Sequence, residues 1–229
     1  MRATYVLQTT GHMREALRAL ETEYAGAPTN WELIATLSAT YNLMGMEAQA
    51  RRYADLTVAL GGGNAALLHV VKQWEAIRHA RYEEAAALEL STGSAGAESD
   101  AGRATIRQAY AALGQPAQRP AAARALRALF EELSASQGVA RYKEEFIILP
   151  VMLGDLDLAF DAANRSLDEF ARFGTVGLTW GVLWMPQMRA FRQDSRFQDL
   201  SARLKLLDYW KQYGPPDDCQ LVGGRIICR

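Results

Sequence analysis

The chain has no surplus of positive charge: Lys and Arg number 25 against 26 Asp and Glu in 229 residues. Nucleic-acid backbones are held by clustered cations that release counterions, so this balance argues against nucleic acid as a partner of this region. Long apolar runs are missing too. Phe146 to Leu153 and Thr175 to Met185 fall well short of the roughly 18 residues that a membrane helix needs, and both read as buried segments. At the N-terminus, Ala3-Thr4-Tyr5-Val6-Leu7-Gln8 follows Arg2 with neither a sustained apolar run nor a cleavage site, so no signal peptide is expected.

Residues that carry chemistry are scarce. His12, His69 and His79 are the only histidines, and none stands at metal-ligand spacing with a carboxylate or cysteine. No Gly-x-Ser-x-Gly elbow is present, and Cys219 and Cys228 are too close together and too terminal to supply a cysteine–histidine pair. Glu83-Glu84, Glu131-Glu132 and Glu144-Glu145 are adjacent. On a helix such neighbours point about 100° apart, as solvated faces rather than acid/base pairs. Gly61-Gly62-Gly63 lacks the Gly-Lys-Ser/Thr ending of a phosphate loop and reads as a helix stop and restart. An enzyme is not expected, and no cofactor or metal is implied.

What the chain does have is an ordinary globular share of hydrophobic residues, 49%, and a repeat. Gly11-His12-Met13-Arg14-Glu15-Ala16 recurs 34 residues on as Gly45-Met46-Glu47-Ala48-Gln49-Ala50. Ala80-Arg81-Tyr82-Glu83-Glu84-Ala85 follows at an offset of 35, Gly114 lies 34 beyond Ala80, and Gly154-Asp155-Leu156-Asp157-Leu158-Ala159 is a further instance. Tyr41 and Tyr110 each stand four residues before a turn glycine. Glycine allows a tight turn between antiparallel helices. The alanine five residues later lets the second helix come close to the first, and the tyrosine fills the space between neighbouring hairpins. Ten helices in five hairpins are predicted: about 2–10 with 12–25, 30–44 with 46–60, 64–79 with 81–91, 99–113 with 120–135, and 139–153 with 156–173. Asn30, Asn64 and Ser99 are the expected N-caps, and Pro150 should kink the ninth helix.

A helix–turn–helix unit of 34 residues with Gly, Ala and Tyr at these positions resembles the tetratricopeptide repeat. The match is best in the first two units and weakest in the fourth, where Gln115 to Pro120 lengthens the turn. The resemblance implies an all-α fold, an α-solenoid of about five hairpins whose first helices line a concave binding face. Its inward positions fall on Tyr5, Ala39, Trp74, Gln108 and Ile148, on Gln8, Asn42, Arg78 and Met152, and on Glu32, Arg141 and Glu144. Tyr5, Gln8, Glu32, Asn42, Trp74, Arg78, Gln108, Arg141 and Glu144 are thus the candidate ligand or partner contacts, a mixture suited to a peptide or small ligand. Trp74 reads equally well as packing between hairpins.

From Thr175 the repeat dissolves. Leu183-Trp184-x-Pro186, Arg192-x-Asp194-x-Arg196-Phe197-x-x-Leu200, Tyr209-Trp210 and Gly214-Pro215-Pro216-Asp217-Asp218-Cys219 follow in order. This succession resembles the C-terminal region of bacterial membrane-anchored regulators that join a winged-helix, CadC-like DNA-binding domain, one membrane helix and a periplasmic tetratricopeptide region. Ser195 departs from the proline common there. The resemblance implies repeats over 1–174, a helical cap over 175–213 and a tail over 214–229. It implies a sensory or protein-interaction module acting in transcription regulation and signal transduction, with a protein, peptide or small-molecule signal as partner and a homodimer left open. Membrane attachment would come only through an N-terminal anchor outside this sequence. The alternative is a free-standing adaptor for envelope complexes. Because the first helix begins about one turn late, the reading favours a piece of a longer parent.

The tail adds a compartment. Val222-Gly223-Gly224-Arg225 is a signal for a two-residue hairpin, since both turn positions tolerate positive φ. Counting outward pairs Val222 with Arg225, Leu221 with Ile226, Gln220 with Ile227 and Cys219 with Cys228. The last is a non-hydrogen-bonded pair, within reach of a disulfide. A structural disulfide implies a periplasmic or otherwise extracytoplasmic position. Two free thiols in a cytoplasmic tail are the alternative.

Overall fold

The computed structural model describes residues 2–62, 65–91, 98–137, 145–173 and 180–229. It is all-α apart from one two-stranded sheet among the described residues. Five helix pairs come first: α1 (Arg2–Thr9) with α2 (Met13–Gly26), α3 (Trp31–Leu43) with α4 (Glu47–Ala59), α5 (Ala65–Arg78) with α6 (Tyr82–Ser91), α7 (Asp100–Leu113) with α8 (Arg119–Gln137), and α9 (Glu145–Leu153) with α10 (Leu156–Phe173). Two short 3₁₀ segments, Trp180–Trp184 and Pro186–Met188, then lead into α11 (Arg189–Gln193), α12 (Arg196–Arg203) and α13 (Leu206–Tyr213). The strands β1 (Cys219–Val222) and β2 (Arg225–Cys228) close the chain.

The recurring sequence element has a recurring geometry. After α1, α3, α5 and α9 the chain leaves the helix through Gly11, Gly45, Ala80 or Gly154, all at positive φ. Each donates its N–H to the carbonyl three residues back, and the following residue donates to the carbonyl five back, as in Gly11 to Gln8 and His12 to Leu7. This double closure satisfies carbonyls that a helix end leaves open. The residue after the turn then accepts the first bond of the next helix from Ala16, Ala50, Ala85 or Ala159. All four alanines are fully buried. The close approach that they permit shows at Ser38, whose hydroxyl donates to the Ala50 carbonyl at 2.7 Å. The fourth turn differs: Gly114 has φ −81 and the chain passes through a 3₁₀ turn at Pro116–Gln118, so the extra residues replace the left-handed closure.

Local signals set the helix starts. Asn30 Oδ1 accepts from the N–H groups of Glu32 and Leu33, and Ser99 Oγ accepts from Gly102. Asp155 Oδ1 accepts from the Leu158 N–H and also from Arg127 of α8 at 2.9 Å. Asn64 lies outside the described residues. Pro150 remains inside α9.

Two compact units result. One is Met1–Glu75 together with Trp180–Arg229, the other Ala76–Thr179. In the first, Leu20, Leu33, Leu37, Tyr41, Ala50 and Val71 form a core, with Tyr53 stacked on Tyr41 at 5.4 Å. Tyr41 donates to Glu21 at 2.5 Å. In the second, Tyr110, at the matching position of the fourth hairpin, donates to Glu89 at 3.4 Å. There Phe130 meets Phe146 at 5.4 Å, and Arg165 lies over Phe130 while pairing with Glu131 and Asp161.

The C-terminal block, expected as a cap, packs on the first hairpins. Trp184 Nε1 donates to the Thr9 carbonyl and Trp210 Nε1 to that of Thr10. Both carbonyls lie at the C-terminal end of α1, where no intrahelical donor remains. Asp217 donates its N–H to Gly11 O at 3.1 Å. The hairpin register is Cys219↔Cys228, Gln220↔Ile227, Leu221↔Ile226 and Val222↔Arg225, as counted from the turn, and Gly223 and Gly224 both have positive φ. Cys219 and Cys228 are joined in a disulfide and both are buried. Gln198 of α12 holds the hairpin, donating to Gly224 O and accepting from the Ile226 N–H.

A candidate ligand pocket beside Trp184

The residues predicted for a concave face take up different positions. Tyr5 is 44% exposed on α1, while Gln8, one turn on, donates to Thr40 of α3 at 2.7 Å. Glu32 is exposed in the first turn of α3, and Asn42 near its end is buried. Trp74 on α5 is 7% exposed, so its ring is a packed group, and Arg78 follows one turn later, half-buried. These residues belong to the first unit as far as Glu75. Arg78 and the exposed Gln108 of α7 belong to the second. Arg141 and Glu144 lie outside the described residues.

A concavity lies where the C-terminal block meets the first two hairpin turns, all within the first unit. It encloses about 450 Å³. Its apolar wall is Met13 at the start of α2, Met44 and Met46 flanking the second turn, Trp184 and Pro186. Its polar wall is Arg14, Arg189, Arg192, Arg229, Asp217 and Asp218. Glycine at the turns permits this assembly: a Cβ on Gly11 would lie 2.6 Å from both Pro216 Cβ and Trp184 Cε2, and one on Gly45 3.2 Å from Pro186.

The charges in this pocket are unequally satisfied. Asp217 accepts from the Arg14 N–H at 2.7 Å, capping the positive N-terminal end of α2, and Asp218 pairs with the Arg14 side chain at 2.8 Å. Arg192 is 8% exposed, packs against the Trp184 ring, and uses one terminal nitrogen to donate to the carbonyls of Leu183 and Met185 at 2.6 and 2.9 Å. Burial pushes its guanidinium down to about 10, with Arg189 adding to that and Asp218 opposing it. The group therefore stays protonated at neutral pH.

Other polar clusters have structural partners. Asp194 binds Arg196 through both its oxygens, which holds its carboxyl below the usual range and fixes the entry to α12. His12 sits in the first turn with Nδ1 3.0 Å from Thr10 Oγ1 and its ring edge against Tyr209. Among the described residues no group of three or more His, Cys, Asp or Glu could hold a metal. A second depression, between α6 and α7, has Glu83 and Arg107 as its charged lining residues.

Sequence reasoning missed Arg192 and Arg189 as lining residues of a cavity. The available signal was an arginine directly after Phe191, inside a block otherwise dense in tryptophan, phenylalanine and methionine. Among the described residues, no helix is long and apolar enough to cross a membrane. Set against family models, curated proteins and solved structures, the chain matches none.

Proposed function

We propose that this chain is a non-catalytic recognition module, the extracytoplasmic C-terminal part of a membrane-anchored bacterial transcriptional regulator, built of tetratricopeptide-like hairpins. The observation that carries this reading is the pocket beside Trp184. Its walls offer guanidinium groups, carboxylates and apolar surface in a ligand-sized concavity, and these orient and hold rather than transform. The repeating turn geometry at Gly11, Gly45, Ala80 and Gly154 supports the repeat reading. The buried Cys219–Cys228 disulfide supports an oxidising compartment. On this reading exposed Tyr5 and Glu32 of the first unit remain contact points for a protein or peptide partner, and exposed Gln108 is a separate one on the second unit.

Protease added to spheroplasts of a bacterium carrying the natural coding sequence tests the compartment. Digestion of this region from outside the inner membrane is expected; full protection until lysis would overturn the proposal. Upstream coding sequence for a winged helix and a membrane span supports the regulator, whereas a reading frame opening at Met1 supports an adaptor.

A further inference from the structure

We propose that the pocket beside Trp184 binds a small organic acid, a single carboxylate on an apolar or aromatic body, held by Arg192 and Arg189. This deepens the recognition-module reading above and rests on it. Arg192 is the reason to expect an anion. It is nine-tenths buried, and only one of its terminal nitrogens is engaged, by two carbonyl oxygens. Among the described residues no carboxylate lies within ion-pair distance of it. The nearby acids are occupied, Asp218 by the Arg14 side chain and Asp217 by the Arg14 N–H. Asp218 reaches Arg192 only through space while it is bonded to Arg14, so a ligand carboxylate on the unengaged guanidinium nitrogens would supply the direct partner that this buried charge lacks.

The planar fork of arginine matches a carboxylate through paired N–H donors, and exposed Arg189 stands at the same pocket as a second cation. The opposite wall suits an apolar body: Met13, Met44 and Met46 are polarisable and adaptable, and Trp184 presents a ring surface. A volume of about 450 Å³ lies in the range of small-molecule sites. The two aspartates in the lining set the ligand's charge. They trim the net positive charge of the lining, whose pull on a dianion is about twice that on a monoanion while the dianion's desolvation costs about four times as much, so a monoanion is favoured.

Calorimetric titration of the full chain at neutral pH with phenylacetate, phenylacetamide and phenyl phosphate tests this assignment. Phenylacetate is expected to bind, with the amide about tenfold weaker or more because it lacks the charge-assisted contact, and the phosphate ester about tenfold weaker or more because its second charge must also be desolvated. R189Q, altering an exposed side chain, should keep the fold and weaken phenylacetate by about tenfold. Arg192→Gln should abolish binding, and R189Q keeps the test valid if that variant does not fold. Equal binding of acid and amide, tighter binding of phenyl phosphate, unchanged affinity in R189Q, or no phenylacetate binding up to about 10 mM would each overturn the proposal. Such a failure leaves the spheroplast result untouched, so the two readings fail separately.

Discussion

Replacing Gly11 with alanine tests the seat of the C-terminal block, with Gly154 as its control. Both glycines close a helix at positive φ, +82 and +89. An alanine at either therefore bears the left-handed penalty of roughly 1–2 kcal/mol. Their surroundings differ. A Cβ at Gly154 meets nothing within 4 Å, whereas one at Gly11 would lie 2.6 Å from Pro216 and from Trp184. Neither neighbour can readily retreat. Trp184 is fixed by its bond to Thr9 O and by edge contacts with Phe197 and Trp210, and Pro216 is followed by Asp217, whose N–H binds Gly11 O itself. Overpacking of this kind costs roughly 1–3 kcal/mol. Gly154→Ala should thus lose about 1–2 kcal/mol and Gly11→Ala about 2–5 kcal/mol. Urea melts read by far-ultraviolet circular dichroism and by tryptophan emission would measure both. Equal losses, or an unchanged cap emission in Gly11→Ala, would refute the packing of this block on the first turn.

Ala80 holds the left-handed position of the third turn without being glycine. Ala80→Gly should therefore stabilise by about 0.5–1 kcal/mol after the entropy cost of glycine, and a lower melting temperature would contradict this. Tyr41, raised by burial and by its bond to Glu21, keeps its proton in the folded state when the unfolded chain loses it. Its contribution is complete below about pH 10 and is lost as pH rises through the higher folded value. Tyr41→Phe should flatten that alkaline decline, and identical pH dependence in the two proteins would refute it. Trp74→Ala should cost roughly 3–5 kcal/mol, as for other buried aromatics. Near-native melting with loss of partner binding would instead assign Trp74 to the groove.

The hairpins were legible because a short-range pattern encodes them. Gly or Ala at the turn and Ala five residues on fix a local closure that needs no distant partner, and the first four turns recur every 34 or 35 residues. The tail was legible for the same reason: a Gly-Gly turn sets the register, and the register brings Cys219 to Cys228. The fourth turn shows the limit of residue identity, since Gly114 matches the pattern yet stays right-handed before the inserted Pro116. The pocket was not legible. Its walls come from residues up to about 200 positions apart, joined by bonds such as Trp210 to Thr10 and Arg14 to Asp218. Nothing in the local pattern around Met13 or Met46 announces which distant tryptophan will face them. The aromatic and methionine-rich surroundings of Arg192 hint at burial, but the sequence does not say which side chains its guanidinium will meet.

The recognition module proposed here works outside the cytoplasm, and the most direct test of that is the thiol state of the chain in living cells. Free thiols are trapped with a membrane-permeant maleimide before lysis, and the intact mass of the purified protein is read without reductant. The account predicts that Cys219 and Cys228 both escape labelling and that the mass lies two hydrogens below that of the reduced chain. Recovery of the protein with both cysteines labelled would contradict it.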